Sequence, residues 1–393
     1  MISRTLRPKL LSLFKQYPVV TVTGPRQSGK TTLCQDAFPD LDYVSFEAQD
    51  RRSFADEDPR GFLRAHPEGA IFDEIQRVPE LVSYIQEHVD ARKRNGIYVL
   101  TGSQNLAVSQ TISQSLAGRT ALLRLLPFSI SEALEAAGAL NTEQMIYTGF
   151  YPRIYDQKLD PTQALTDYFE TYVERDLRQL SAVRSLSTFQ RFVKLCAGRI
   201  GQLLNLQSLG NDAGVSHATA REWIGLLEAS YIAFLLRPFH PNVSKRLIKS
   251  PKLYFYDVGF AAYLLGIEDQ RQITSHPLRG SLFENLVVVE ALKHRYNQAR
   301  PSNLYFYREN TGREVDLLYT TADHILAIEI KAGATLTSSF FTEIQHFSEL
   351  VQKRGNERVL IYDGEEKVRR QGTLVANPFD LEKILAQWEK SQE

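Results

Sequence analysis

Short β-branched, apolar runs alternate with helical stretches through the first third of the chain. The runs are VVTVTG (19–24), LDYVSF (41–46), AIFDE (70–74), IYVLTG (97–102) and TALLRLL (120–126), and the intervening 30–38, 78–94 and 106–118 carry helical spacing. Strands alternating with helices predict a parallel sheet covered on both faces. From about Ser129 to Leu236 the rhythm turns almost wholly helical. After Pro301 strands return in LYFYRE, REVDLLY, HILAIEIK and RVLIYD, with helices before and after. These shifts divide the chain into an α/β core (1–128), a helical lid or linker (129–180), a winged-helix-like region (181–265) and a smaller α/β domain (266–393).

Composition narrows the classes open to such a chain. Of 393 residues 43% are hydrophobic and 23% charged, and Lys+Arg and Asp+Glu both number 46, for zero formal net charge. That balance excludes a strongly basic coating protein but leaves room for a local basic patch. Two distant cysteines, Cys34 and Cys196, exclude a disulfide framework or a cysteine-built zinc site and fit a reducing compartment. No apolar run approaches the ~20 residues that span a bilayer. The start, MISRTLRPKLLSLFKQYP, is broken by charges where a signal peptide is apolar. A cytoplasmic protein with no membrane contact is expected.

Gly24-Pro25-Arg26-Gln27-Ser28-Gly29-Lys30-Thr31, followed by Thr32, matches G-x-x-x-x-G-K-[ST] between a predicted strand and a predicted helix. The glycines let the backbone wrap a polyphosphate with its amides pointing at the oxygens. Lys30 then faces the β/γ-phosphates of ATP, and the Thr31 hydroxyl ligates Mg²⁺. AIFDE ends in two acids: Asp73 is the candidate holder of hydrated Mg²⁺, and Glu74 the base for an attacking water. An Asp-Glu pair predicts hydrolysis and disfavours a small-molecule kinase. IYVLTGSQN ends in Thr101, Ser103, Gln104 and Asn105; Ser103, then Gln104, is the candidate γ-phosphate sensor if this strand lies between the two motif strands. Arg119, at a helix end before the next strand, either reaches a neighbouring subunit's γ-phosphate or satisfies helix carbonyls. The first reading makes the protein a ring or another homo-oligomer. Arg175 in YVERDL is either a further nucleotide contact or a helix salt bridge with Glu174 or Asp176.

GPRQSGKTT, IFDEIQRVPEL, LTGSQ and LAGRTALLRLLPFSISE together resemble a widespread group of bacterial and archaeal AAA+-type ATPases. Its members are described mainly as ATP-binding proteins with a carboxy-terminal domain of unknown function. The resemblance continues through YFETYVERDL, SKRLIKSPKLYFYDVGFAAYLLG and FYRENTGREVDLLY. It implies an additional-strand P-loop core with Glu74 as hydrolytic base and Arg119 as finger, and no defined cellular task.

The middle of the chain has a helix–turn–helix rhythm: Leu203–Asn211, a turn over 213–216, and His217–Ala229. Ser216 is a candidate N-cap, with Trp223, Leu226 and Leu227 on the buried face. YIAFLLRPF and KLYFYD, separated by HPNVSKRLIKSP, read as a wing carrying Lys245, Arg246, Lys249 and Lys252. A winged helix presents His217, Thr219 and Arg221 to a DNA groove and its wing to phosphate. With so few exposed readers, DNA contact of low sequence choice is expected, DNA rather than RNA. Packing against protein is the alternative.

SLFENLVVVEAL carries Glu284 near a helix start, REVDLLY places Asp316 in a strand, and HILAIEIK sets Glu329 and Lys331 on one strand face. Three acids and a lysine suit a second divalent metal, Mg²⁺ or Mn²⁺, and an attacking water. The order resembles the restriction-endonuclease-like PD-(D/E)XK core, with Val315 where that pattern has Pro. Alternatively Lys331 is only the ion-pair partner of Glu329. The eight histidines show no ligand spacing. Two readings follow: an oligomeric Mg²⁺-dependent ATPase acting on nucleic acid through a winged helix and a nuclease-like module, or a nucleotide-gated switch for a protein partner with an inert carboxy-terminal domain.

Overall fold

The computed structural model describes residues 2–103, 115–173, 185–239, 250–321, 323–351 and 355–392. Gln104, Asn105, Arg175 and the wing cations Lys245, Arg246 and Lys249 lie outside them. Contacts gather the chain into two units, Met1–Phe128 with Ala229–Tyr231 and Tyr296–Pro301, and Ser129–Glu228 with Ile232–Arg295 and Ser302–Glu393. Four separate segments were expected.

In the amino-terminal unit, β1 (Val19–Thr23), β2 (Asp42–Ser45), β3 (Ala70–Asp73), β4 (Tyr98–Gly102) and β5 (Thr120–Arg124) form a parallel sheet in the order β2-β3-β4-β1-β5. β1 is buried throughout its length, which is why its sequence is continuously β-branched rather than alternating. Val20, Val22, Leu33 and Val99 pack one face, and Val19, Phe46, Phe62, Phe72 and Tyr98 the other. Thr21 and Thr120 share a hydroxyl hydrogen bond of 2.9 Å between neighbouring strands. β4 lies between β1 and β3, with Thr23 opposite Gly102 and Phe72 opposite Leu100. The carboxyl ends of these three strands therefore share one edge, where ligands of open parallel sheets bind. Helices Lys30–Ala37 and Leu81–Arg92 fall within the expected helical stretches.

The second unit opens with short, well-capped helices. Ser129 and Glu132 form a capping box on Ile130–Ala137, and Asn141 and Gln144 do the same for Thr142–Thr148. Its sheet runs β12-β13-β11-β10-β9-β8-β6-β7, with β6 (Ala233–Pro238), β7 (Lys252–Phe255), β8 (Leu304–Arg308), β9 (Glu314–Thr320), β10 (His324–Lys331), β11 (Gly355–Tyr362), β12 (Val368–Arg370) and β13 (Thr373–Ala376).

The wing strands were expected in a region of their own. Instead β6 pairs antiparallel with β7 and also parallel with β8, through Arg237–Tyr305 and Pro238–Phe306. The reason is edge chemistry: the backbone groups at the end of β6 find ladder partners on β8 rather than forming an unpaired edge. β12 and β13 were not expected either. Gln371 and Gly372 both take positive φ, 52° and 73°, joining Arg370 to Thr373 in a two-residue hairpin turn. No helix of the described residues is long and apolar enough to cross a membrane.

Candidate functional site

The loop after β1 is bent as a polyphosphate cradle requires. Gly24 has φ 152°, and a Cβ there would stand 2.1 Å from the Leu125 carbonyl oxygen. Gln27 and Gly29 both take left-handed conformations before the helix opens at Lys30. Lys30 is buried, and its ammonium donates to the carbonyls of Gly24 (3.0 Å) and Pro25 (2.8 Å). Burial pulls its pKa down, opposed by the charges of Glu74 and Asp73. Ser28 is buried with its Oγ unpartnered. Arg26 pairs loosely with Glu47 at 3.9 Å, and Thr32 is exposed on the first helical turn.

The two motifs meet. Thr31 Oγ1 donates to both Asp73 oxygens at 3.2 Å. Thr101, from β4, and Tyr43, from β2 at 2.9 Å, donate to the same carboxylate. Glu74 sits just past β3 in the left-handed region, φ 59° and ψ 47°, where a non-glycine residue stores strain. Its carboxylate accepts from Gln76 and from Ser103 Oγ at 3.1 Å, and Gln76 also reaches Ser103 at 3.4 Å. A buried ammonium, a hydroxyl beside an acid, a second acid and an unpartnered buried hydroxyl fit a Mg²⁺–triphosphate.

Residues 16–134 match the family model of an AAA domain. They form an AAA-type P-loop ATPase domain. Residues 140–271 and 279–381 each match a model described as a domain of unknown function. The chain is 28% identical over 382 residues to uncharacterized protein Mb2031c of Mycobacterium bovis and to uncharacterized protein Rv2008c of Mycobacterium tuberculosis. Each alignment covers 96% of this chain and 83% of the relative. Among solved structures, the Walker-type ATPase paby2304 of Pyrococcus abyssi is 12% identical with a TM-score of 0.44, over 67% of this chain and 96% of its own. A signal-transduction ATPase with a tetratricopeptide repeat sensor, PH0952 of Pyrococcus horikoshii, is 12% identical with a TM-score of 0.26, over 77% and 48%.

Within the ATPase domain the pairing of Arg119 with Asp90 and the placement of Arg4 were not expected, whereas the Arg119 bond to the Ala117 carbonyl is of the kind its second expected reading named. Arg119 is held inside its own chain by a two-point pair with Asp90, at 2.6 and 2.8 Å, and donates to the Ala117 carbonyl at 3.2 Å. Its side chain is 32% exposed. Arg4 donates to the Ser28 carbonyl at 2.6 Å and the Leu126 carbonyl at 2.7 Å, and lies over the Phe128 ring. The amino-terminal segment thus buttresses the phosphate loop, a role no local motif announces.

In the second unit, helices Leu206–Ala213 and His217–Ala229 flank a turn containing Gly214 in the left-handed region. Ser216 Oγ accepts from the Thr219 amide at 3.1 Å, as an N-cap does. The Thr219 hydroxyl is engaged with Ser216 at 2.9 Å, so of the expected readers Arg221 is the exposed one.

The carboxy-terminal acids converge. Glu284 comes from helix Arg279–Asn297, Asp316 from β9, and Glu329 with Lys331 from β10. Lys331 contacts Glu329 at 2.5 Å and Asp316 at 3.6 Å, and Asp316 accepts from the Ile330 amide at 2.8 Å. Two further members were not placed here by the sequence: Glu314 was missed, and Lys252, read as an exposed wing cation, is instead buried at the start of β7. Lys252 pairs with Glu284 at 2.8 Å and with Glu314, and Glu314 also holds Arg308 at 2.8 Å. The carboxylates whose oxygens cluster most closely are Glu284, Glu314 and Asp316, rather than the expected set with Glu329. Strand alternation could have revealed Glu314, two residues before Asp316 on the same face. Burial and the Asp316 charge push Glu284 up to about 7, and the same causes push Glu329 well up.

Proposed function

We propose that this protein hydrolyses ATP with Mg²⁺ and couples turnover to work on nucleic acid through its carboxy-terminal acids. The observation that carries the reading is the meeting of Thr31, Asp73 and Glu74 at the edge shared by β1, β3 and β4. Lys30 holds the β/γ-phosphates, with the backbone N–H groups of 26–31 around them. Thr31 and Asp73 hold Mg²⁺, which neutralises phosphate charge. Glu74 accepts the proton of the attacking water, and Ser103, already bonded to it, reports the γ-phosphate. Arg119 acts in a neighbouring subunit of a homo-oligomer after release from Asp90. The helix–turn–helix over 206–229, with the wing cations Lys245, Arg246 and Lys249, contacts DNA backbone. Glu284, Asp316, Glu329 and Lys331 form a metal-dependent phosphodiester-cleaving site.

One observation favours a second reading. Lys252 is ion-paired inside the acidic cluster, as it would be in an inert domain kept for nucleotide-gated binding of a protein. ATP turnover measured with and without duplex and single-stranded DNA separates the two. Strong stimulation supports work on nucleic acid. Indifference, with no DNA cleavage in Mn²⁺ and no change from Asp316→Asn, leaves the switch.

A further inference from the structure

Four carboxylates, Glu284, Glu314, Asp316 and Glu329, meet three cations, Lys252, Lys331 and Arg308, in the second unit. Lys252 is the most buried of the three cations. It opens β7, its side chain is 3% exposed, and its Nζ lies 2.8 Å from Glu284 Oε1 while also bonding Glu314 Oε1. Glu284, Glu314 and Asp316 each offer an oxygen within 4.8 Å of the others, a spacing one small cation can bridge.

We propose that Glu284, Glu314 and Asp316 form a divalent-cation site, for Mg²⁺ or Mn²⁺, which Lys252 keeps closed: its ammonium stands where the metal binds, and metal enters only as the lysine leaves. This rests on the metal-dependent reading of the cluster and adds both a ligand outside that reading, Glu314, and an internal competitor.

Charge supports the exchange. With all four carboxyls ionised, as metal binding requires, four negative groups against three positive ones leave a net of −1, and burial with the Asp316 charge favours a proton on Glu284 or Glu329 until a further cation arrives. Replacing the Lys252 ammonium with a divalent ion brings the cluster to zero, counting the two cations that remain. Hard carboxylate oxygens suit Mg²⁺ and Mn²⁺. A second observation points to a missing cation. Glu329 is 3% exposed, and its Oε2 has no partner although Oε1 is bonded to Lys331, which also reaches Asp316. A buried carboxylate oxygen left unpaired is costly; Glu329 adjoins the trio through Lys331, which it shares with Asp316, so added positive charge on the trio offsets it. The ligands are also held in place without the metal: Tyr254 donates to Glu284, and the Ile330 amide donates to Asp316 at 2.8 Å. Lys252 differs from Lys331 in this respect. Lys331 bridges Glu329 and Asp316 and is about one third exposed, so metal binding to the trio does not require it to move.

The test is MnCl₂ titration of the full-length protein by calorimetry, without nucleotide, so that the phosphate loop contributes no metal site of its own. Wild type should bind Mn²⁺ weakly. Lys252→Gln, whose amide still bonds the carboxylates, should bind about tenfold tighter or more, as removal of a closed state populated at about 90% or above requires. Asp316→Asn should lose binding in either background. A second measurement needs no variant to fold: acylation of Lys252 by an amine-reactive ester, followed by mass spectrometry of wild type, should rise on saturating Mn²⁺. Lys252→Gln binding no tighter than wild type, or Lys252 labelling that stays flat while Mn²⁺ binds, overturns the lysine gate and leaves the metal reading standing. Absence of Mn²⁺ binding in wild type and in a folded Lys252→Gln overturns both.

Discussion

In the proposed reading, Lys30 and Glu74 divide the work of the ATPase domain into holding and hydrolysing. Lys30 spends its buried ammonium on two backbone carbonyls, neutral partners that a polyphosphate readily outcompetes. Lys30→Ala should weaken ATP affinity by roughly a hundredfold or more, about 2.7 kcal/mol, read by calorimetry in magnesium buffer. Glu74 is the proposed base, and its carboxylate is bonded to Gln76 and Ser103 rather than to the loop's backbone. Glu74→Gln should therefore leave affinity within a few-fold while lowering turnover by about 10²-fold or more, the scale of a lost general base. Turnover unchanged in that variant would remove Glu74 from the chemistry. The cysteines play no part at this scale: both are buried, and burial pushes both thiols up, away from reactivity.

At the scale of elements, the phosphate loop is shaped as much from outside as by its own glycines. Arg4 ties the Ser28 carbonyl to the Leu126 carbonyl across the ends of β1 and β5. Arg4→Ala removes both bonds and leaves two buried carbonyls unpaired, at about 1–3 kcal/mol each. Denaturant unfolding should show a loss of about 2–6 kcal/mol for the two together, and the KM for ATP should rise more than kcat falls. Equal stability and an unchanged KM would make the contact incidental. The loop itself was legible because every residue it needs lies in eight consecutive positions. Arg4 was not, because its partners are 24 and 122 residues away and nothing local marks it. The same distinction holds in the second unit. Glu329 and Lys331 share a strand face by alternation alone, whereas Lys252 meets Glu284 and Glu314 only through tertiary contact, from a strand that β6 and β8 separate from β9 in the sheet order. Register, too, was hidden: the apolar run of β6 reads as half of a wing, and pairing with β8 is set by tertiary contact.

For the whole molecule, the open question at the ATPase domain is whether Arg119 serves its own chain or another. Within the chain it closes a two-point pair with Asp90 and a bond to the Ala117 carbonyl, on a partly exposed surface where such pairs are worth little. A neighbour's triphosphate, carrying several negative charges, is a stronger partner than one carboxylate. A shared site is heterologous: one protomer supplies Glu74 and the other Arg119, so the assembly closes as a ring or extends. Arg119→Ala should then abolish hydrolysis with ATP affinity nearly intact. Asp90→Ala should keep turnover, because it frees the guanidinium rather than removing it. The decisive form mixes two inactive proteins. Glu74→Gln retains Arg119 and Arg119→Ala retains Glu74, so mixed assemblies contain some interfaces with both groups and should recover a fraction of wild-type turnover. Recovery must fall with dilution as the assembly dissociates. If Arg119 acts only within its own chain, every protomer in the mixture lacks one group, and no ratio of the two restores activity.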